Sequence, residues 1–141
     1  MIRLDTNVVS EVMKTRPTEA VVAWLKGQDS EKLYVSAITI GEIACGLRIL
    51  PDGKRRSGLR ERFEQFVAVA FDQRVLPYDE SAASICGELM GDRKELGLPM
   101  RVPDGQIAAI ASLNHLAVAP QNVVDFENCG IEVINPIEVA L

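Results

Sequence analysis

The sequence has few of the residues that build nucleophilic or zinc-dependent active sites. Its 141 residues include one histidine, His115, and three cysteines. No Ser-His-Asp or Cys-His arrangement can be built around this one histidine. The cysteines, Cys45, Cys86 and Cys129, are far apart and have no Cys-x-x-Cys spacing. They therefore favour neither a disulfide framework nor a zinc site, and we expect buried, reduced thiols.

The chain also lacks an excess of positive charge and a long apolar run. Its formal net charge of −5 argues against nucleic-acid binding through overall positive charge, although a local basic patch remains possible. No basic leader precedes Ile2, and no apolar run approaches the roughly 18 residues of a membrane span. These features predict a cytoplasmic protein. A hydrophobic fraction of 48% fits one compact domain over residues 1–141.

Short apolar segments alternate with segments of helical periodicity. The strand-like segments are Ile2–Leu4, Leu33–Ser36, Arg74–Pro77, Leu116–Ala119 and Ile131–Asn135. The helical patterns cover about 7–13, 18–27, 39–50 and 57–71, then a segment capped by Asp79 that stops at Gly97 and Pro99, and one that begins at Asp104. Short strands separated by helices predict an α/β fold with a parallel sheet covered by helices.

Acidic and amide side chains lie where this sheet would end. Asp5 follows the first strand, Glu42 lies in the first predicted turn after the second, and Asp104 begins the helix that leads into the fourth. Asn122 and Asp125 come shortly after that fourth strand. In open parallel sheets, ligands bind beyond the carboxyl ends of the strands. We therefore expect these oxygen-bearing groups to converge at one edge.

Such convergence has an electrostatic cost. Two carboxylates about 5 Å apart repel by about 3 kcal/mol at an effective dielectric near 20, so three mutual pairs oppose folding by about 10 kcal/mol. Either the pKa values rise so that protons are shared, or a divalent cation neutralises the cluster. Carboxylate oxygens suit Mg²⁺ or Mn²⁺, which can hold a phosphate and turn a bound water into a nucleophile.

Several segments together resemble a known family. "LDTN", "SAITIGEI", "LPYDE", "PDGQIAAIA", "NVVDF" and "GIEVINP" occur in that order over the whole chain. This combination resembles the PIN-domain ribonucleases, and within them the VapC and FitB toxins of bacterial type II toxin–antitoxin systems. The resemblance implies a three-layer α/β/α fold with a central, mainly parallel sheet of about five strands. It also implies a Mg²⁺-dependent endoribonuclease, usually a homodimer, which a cognate antitoxin inhibits and which meets DNA only through that antitoxin.

The resemblance also assigns roles to individual residues. The acidic centre of the family falls on Asp5, Glu42 and Asp104. Asp5 would be the central metal ligand, Asp104 a second ligand or a group that orients metal-bound water, and Glu42 would act directly or through water. Thr6 and Asn7 match the polar support of the first acid.

The fourth family position, in a Thr-x-Asp or Thr-x-Asn segment, falls on Asn122. There the chain departs from the family, because Pro120 replaces the expected threonine and Gln121 a residue that is often arginine. Whether Asn122 or Asp125 completes the site, and whether one or two metals bind, therefore stays open.

Each acid has a simpler interpretation. Asp5 could cap a turn, and Glu42 and Asp104 could favour the N-termini of their helices. Asn122 and Asp125 could be turn-forming residues. Glu42 argues most strongly for a site, because its helical neighbours are apolar or small where a solvated glutamate usually has polar ones. These neighbours are Ile38, Cys45, Gly46 and Ile49.

The basic residues and aromatic residues also allow two interpretations. Lys54, Arg55, Arg56, Arg60 and Arg62 form one basic group, and Arg93, Lys94 and Arg101 a smaller one. Each group is either a solvated face or a contact for RNA phosphates. Trp24, Phe63 and Phe66 have the spacing of core packing or of a partner groove. The alternative to a nuclease is a PIN fold that has lost cleavage and binds its antitoxin, which the departure at Pro120 suggests.

Overall fold

The computed structural model describes residues 2–4, 23, 32–120 and 123–134. The helices predicted over 7–13 and 18–27 lie outside these residues except for Ala23, which is helical. Several residues singled out in the sequence also lie outside them, namely Asp5, Thr6, Asn7, Trp24, Gln121 and Asn122.

Four short strands form a parallel sheet in the described part of the chain. They are β1 (Ile2–Leu4), β2 (Leu33–Ser36), β3 (Val75–Leu76) and β4 (Ala117–Ala119). Their order across the sheet is β3-β2-β1-β4, and every pairing is parallel. Parallel neighbours need long crossover connections, which helices usually supply. The predicted α/β class is therefore confirmed.

The strand register brings the carboxyl ends of three strands to one level. Leu4, the last residue of β1, pairs with Val35 of β2 and with Ala119 of β4. The chain first extends from β1 to β2 and β3, and β4 then joins on the other side of β1. The direction of winding thus reverses between β1 and β4, and open α/β sheets bind ligands at such a switch point.

The predicted fifth strand is represented by one parallel bridge, between Val118 and Val133. The Val118 N–H donates to the Glu132 carbonyl at 2.9 Å, and the Ile134 N–H donates to the Val118 carbonyl at 2.8 Å. The segment after β4 therefore returns to the sheet beside β4. On each side of the switch point the strand is therefore hydrogen-bonded to a further neighbour: β1 to β2, and β4 to the segment around Val133.

Four helices lie within residues 32–120. They are α1 (Ala37–Arg48), α2 (Lys54–Ala70), α3 (Glu80–Glu95) and α4 (Val102–Leu113), and a 3₁₀ turn covers Val123–Phe126. The Asp79 carboxylate accepts the Ala82 N–H at 2.9 Å and caps α3, as predicted. Gly97 follows the end of α3 with a φ of 74°, a conformation that glycine adopts without strain. None of the helices in the described ranges is long and apolar enough to cross a bilayer.

Helix α1 begins earlier than the sequence predicted. Ser36 is both the last residue of β2 and the N-cap of α1, because its Oγ accepts the Thr39 N–H at 3.0 Å. The same Oγ donates to Thr39 Oγ1 at 3.1 Å, and both side chains are buried. Glu42 therefore lies in the second turn of α1, and its placement in the first turn was wrong. A glutamate there gains little from the helix dipole, which acts mainly within the first turn.

The core lies where α4 packs against β4 and the 3₁₀ turn. Ile107, Ala108 and Ala111 of α4 are buried with Val118 and Phe126. Small alanine side chains let the helix lie close to the neighbouring elements, and close packing of this kind tolerates little change in volume. The core therefore holds both α4, which carries Asp104, and the 3₁₀ turn, which carries Asp125.

The cysteines and aromatic residues follow the sequence prediction in part. All three thiols are free, and Cys86 and Cys129 are buried as expected, but Cys45 is exposed and that prediction was wrong. Helix α1 turns Cys45 away from its buried face, which carries Ile43. Phe63 is buried, and the rings of Phe66 and Phe71 meet edge to face at 5.5 Å. These phenylalanines are packing residues.

Helices α3 and α4 cross at Gly105. A Cβ placed at Gly105 would lie 2.6 Å from Met90 Sδ and 2.7 Å from Met90 Cγ, and 3.4 Å from Cys86 Sγ. A methyl group at Gly105 would therefore have to displace the Met90 side chain, although the backbone of Gly105 is helical. This crossing fixes the first turn of α4, which contains Asp104.

The substitution Gly105→Ala should stabilise the fold less than an alanine elsewhere in these helices does, because displacing the Met90 side chain offsets the gain in helix propensity. Gly91→Ala in α3 is the matched control, since its Cβ meets no described atom within 4 Å. The control should raise stability by up to about 1 kcal/mol. Urea denaturation of both variants measures the difference. Equal stability of the two variants would mean that the crossing is not tight.

Candidate active site

Three acidic side chains reach the carboxyl edge of the sheet from different elements. Glu42 lies on α1, which starts at the end of β2, and Asp125 lies in the 3₁₀ turn that follows β4. Asp104 lies in the first turn of α4. Because α4 leads into a parallel strand, its N-terminus lies at the edge where the strands end. Glu42 and Asp104 are 62 positions apart in the chain, and Asp104 and Asp125 are 21 apart. All three nevertheless lie at one edge of the fold.

The structure brings these three acids close enough to interact. Burial of the Asp104 carboxyl raises its pKa above the usual value, and the Asp125 and Glu42 carboxylates raise it further. The guanidinium groups of Arg101 and Arg93 act in the opposite direction. The N-terminus of a helix normally favours a charged carboxylate. Since burial outweighs its opposing influences here, Asp104 is poorly explained as a residue that only stabilises its helix.

Glu42 is joined to the N-terminus of α4 by an ion pair. Its Oε2 lies 3.6 Å from Nη2 of Arg101, the residue that precedes α4. The side chain of Glu42 is 25% exposed and that of Arg101 is 69% exposed. A pair this open to water contributes at most about 1 kcal/mol to stability. The pair shows that Glu42 of α1 lies beside the N-cap residue of α4, three positions before Asp104.

The apolar neighbours of Glu42 do not bury it. Cys45 and Gly46 are exposed, and Ile49 is 77% exposed. In the sequence, these apolar or small residues suggested that Glu42 is not simply a solvated glutamate. They instead form an exposed apolar face of α1 beside a partly buried glutamate.

Asp125 is held in place through its backbone. Arg93 of α3 donates a hydrogen bond from Nη1 to the Asp125 carbonyl oxygen. The next residue, Phe126, is buried in the core. The 3₁₀ turn is thus held on one side by a cation and on the other by an aromatic side chain, and the Asp125 carboxylate is left near Asp104.

The described residues fit a hard cation without forming a complete site. Within 2–4, 23, 32–120 and 123–134, no three His, Cys, Asp or Glu side chains lie close enough to hold a metal ion. Asp5 and Asn122, the other predicted ligands, and the supporting Thr6 and Asn7 lie outside these ranges. A half-buried carboxyl whose pKa two neighbouring carboxylates raise is nevertheless short of positive charge. Carboxylate oxygens are the donors that Mg²⁺ and Mn²⁺ prefer.

The two predicted basic groups differ in their exposure. Lys54 and Arg55 are exposed at the start of α2. Arg56 donates to Asp52 at 2.9 Å and to the carbonyl oxygens of Arg48 and Leu50 at 3.4 Å each, so it closes the turn between α1 and α2. Arg93 is only 4% exposed, and the prediction that it lies on a surface with Lys94 and Arg101 was wrong. It lies on the buried face of α3 with Ala82 and Cys86.

Two features that position the acids were not predicted from the sequence. The pair Ser36 and Thr39 sets the start of α1, and the signal was a Ser three residues before a Thr at the end of an apolar strand. Arg93 follows Cys86 by seven residues and Leu89 by four. This spacing places Arg93 on the apolar face of α3. A charge at such a position was the available signal for a buried arginine.

The raised pKa of Asp104 predicts how Asp104→Asn affects the metal-free protein. Protonation stabilises the folded state when the folded pKa is the higher one, so the penalty is absent below the unfolded pKa of about 3.9 and grows as pH rises through the folded pKa. The variant should therefore have a higher Tm than the wild type at pH 7, and the difference should vanish near pH 3.

Thermal unfolding with a chelator between pH 3 and pH 8 measures this difference. Asp72→Asn is the control, because Asp72 is exposed and its replacement should leave the Tm nearly unchanged at each pH. A gain in Tm for Asp104→Asn that does not depend on pH would contradict the electrostatic explanation.

Comparisons with known proteins agree with this architecture. The PIN-domain family model matches residues 2–127. The chain is 44% identical over 140 residues to the VapC ribonuclease Y4jK of Sinorhizobium fredii, which covers 99% of this chain and 100% of that protein. It is 40% identical over 136 residues to the toxin FitB of Neisseria gonorrhoeae, with 96% and 98% covered.

A solved structure of FitAB bound to the IR36 DNA fragment has a similar fold. Its TM-score is 0.91 at 39% sequence identity, over 97% of this chain and 96% of that one. The resemblance drawn from the sequence motifs is therefore confirmed. With a family match across residues 2–127, the chain belongs to the PIN-domain family.

Proposed function

We propose that this chain is the toxin of a type II toxin–antitoxin pair and acts as a divalent-metal-dependent endoribonuclease. The observation that carries the proposal is that Asp104, whose pKa is raised by burial and further by Asp125 and Glu42, lies with these two acids at the carboxyl edge of a parallel sheet. Acids that meet at a ligand-binding edge lose stability unless a cation neutralises them. The similarity to a ribonuclease and to a toxin at 40% identity or more supports the same function.

The proposed ligands of Mg²⁺ or Mn²⁺ are Asp5, Asp104 and Glu42. Asp5 directly follows β1, whose end is level with the ends of β2 and β4. Either Asn122 or Asp125 completes the set, and Thr6 and Asn7 support Asp5. When bound, such an ion stabilises charge on a phosphodiester and lowers the pKa of water.

The residues of the chain would divide the remaining work. Asp104 is half-buried in the first turn of α4, directly before the crossing at Gly105, which suits a metal ligand. Glu42 is 25% exposed and is paired to the exposed side chain of Arg101, which suits a group that acts directly or through water. Arg101 is an exposed member of the smaller basic group and pairs with Glu42 at the acidic edge, so it is placed to attract an RNA phosphate.

The proposed protein partner is a cognate antitoxin, bound to a homodimer of this chain. An acidic edge favours a basic arm of an inhibitor, and exposed apolar side chains on helices favour a helix of the partner. Ile49 and Val69 are 77% and 82% exposed on α1 and α2. The protein would contact DNA only through the antitoxin. Its substrate would be RNA in the cytoplasm.

Asp104→Asn should lower RNA cleavage by about 100-fold or more, because it removes a charged ligand from the metal site. The assay uses antitoxin-free protein with Mg²⁺, with Mn²⁺ and with chelator, and Asp72→Asn as the matched control. Cleavage should require an ion in both active proteins. A folded wild type that is inactive with both ions would contradict the nuclease proposal and favour a binding module that acts with its antitoxin.

The exposed basic residues of α2 should contribute to RNA binding through phosphates. Arg55→Ala should reduce the slope of log K against log salt by about 0.7, the contribution of one contact to a single strand, without moving the cleavage position. Arg56→Ala should leave the slope unchanged and lower the Tm, because Arg56 is engaged with Asp52 and two carbonyl oxygens. An unchanged salt slope for Arg55→Ala would remove Arg55 from the RNA interface.

A further inference from the structure

Arg93 is a buried cation directly behind the acidic edge. Its side chain is 4% exposed in the last turn of α3. Arginine is rarely buried unless its charge is paired and its N–H groups are bonded, because removing a guanidinium from water is costly. The sequence of a stable fold would normally place an apolar residue at this position of the helix. The arginine therefore needs an explanation other than core packing.

The guanidinium of Arg93 contacts the segment that carries Asp125. Its Nη1 donates to the Asp125 carbonyl oxygen and lies 3.9 Å from the sulfur of Met100. Burial raises the pKa of the Cys129 thiol, and a hydrogen bond from Arg93 opposes that rise. Arg93 thus joins α3 to both ends of residues 125–129, while Nε has no hydrogen-bond partner among the described residues.

The same guanidinium faces the acid on the neighbouring helix. The charge of Arg93 acts on Asp104 against the influence of Asp125 and Glu42. Arg93 is therefore near the side chain of one acid and bonded to the backbone of another. No other buried cation occupies such a position in the described part of the chain.

We propose that Arg93 is a positioning residue that fixes the Asp125 turn against Asp104, so that Asp125 serves as a ligand of the divalent ion. The inference rests on the proposed function. Backbone bonds to a turn restrict the direction in which its side chain points, and residues that orient metal ligands typically change affinity by about 10–100-fold when replaced. Arg93 would act through Asp125 and would not touch the substrate.

Two effects of Arg93 on metal affinity have opposite signs. Its positive charge repels a cation, so removing that charge alone should tighten metal binding. Its hydrogen bonds hold the Asp125 turn, so removing them should weaken metal binding. The sign of the change in affinity therefore separates a positioning role from a role as a simple counter-charge.

The experiment measures Mn²⁺ binding to the full, antitoxin-free chain by electron paramagnetic resonance of the free ion. Arg93→Met removes charge and hydrogen bonds, and Arg93→Lys keeps the charge but loses the planar fork. Both should bind Mn²⁺ about tenfold more weakly than the wild type. Arg48→Met, at an exposed arginine of α1, is the matched control and should bind within about twofold of the wild type.

A double variant tests whether Arg93 acts through Asp125. If it does, Arg93→Met combined with Asp125→Asn should bind Mn²⁺ about as weakly as Asp125→Asn alone, because coupled residues are not additive. Thermal unfolding shows which variants are folded. In folded protein, a general loss of stability would not make the effects of the two substitutions non-additive in this way. If Arg93→Met does not fold, Arg93→Lys and its double variant with Asp125→Asn provide the same comparison.

The outcomes separate the two proposals. Unchanged or tighter Mn²⁺ binding by the Arg93 variants, or additive effects in the double variant, would overturn the positioning role and leave the nuclease proposal intact. A folded wild type that binds no Mn²⁺ would overturn both.

Discussion

The organisation of this protein depends on an acidic side chain that is partly buried, against the repulsion of two others, at one edge of a parallel sheet. Parallel strands all end at the same edge, so residues that follow different strands meet there whatever their separation in the chain. Glu42, Asp104 and Asp125 come to this edge in that way; burial raises the pKa of Asp104, and the other two carboxylates add to the rise. A fold that gathers like charges in a half-buried place gives up stability. Such a sacrifice is characteristic of functional sites.

The arginines around the acids reduce this repulsion without removing it. Arg101 meets Glu42 from outside, at 3.6 Å and largely in water. Arg93 meets the acids from within the fold, where its charge is less screened and its hydrogen bonds have fixed directions. Because burial still raises the pKa of Asp104, the balance leaves room for a further positive charge. A divalent cation would supply the positive charge that the two arginines do not.

Close packing gives the acids their fixed positions. Gly105 lets α3 and α4 approach so closely that a single methyl group would collide with Met90. The crossing holds Asp104 on α4 and Arg93 on α3 in one rigid unit, and Phe126 anchors the turn that carries Asp125. Catalysis by a metal ion requires ligands held within narrow limits of distance and angle. Helix packing and not local flexibility therefore determines the geometry of this edge.

The sequence by itself determined the α/β class and most strand positions, and it singled out Glu42, Asp104 and Asp125, which the structure brings near one another. Strand and helix periods, caps such as Asp79 and the order of motifs are local properties, which short segments express independently of the rest of the chain. The start of α1 was misplaced because Ser36 serves a strand and a helix at once. No local rule decides between two such uses of one residue.

Only the tertiary structure decided which charged residues are buried. Arg93 and Lys94 are adjacent basic residues, and although the helical spacing puts Arg93 on the apolar face of α3, only packing shows that it lies behind the acidic edge while Lys94 is exposed. Arg56 and Arg55 differ in the same way, since only Arg56 faces the turn between α1 and α2. Burial of a charge depends on partners from distant segments, here the Asp125 carbonyl 32 residues further along the chain. Those partners come together only when the helices pack.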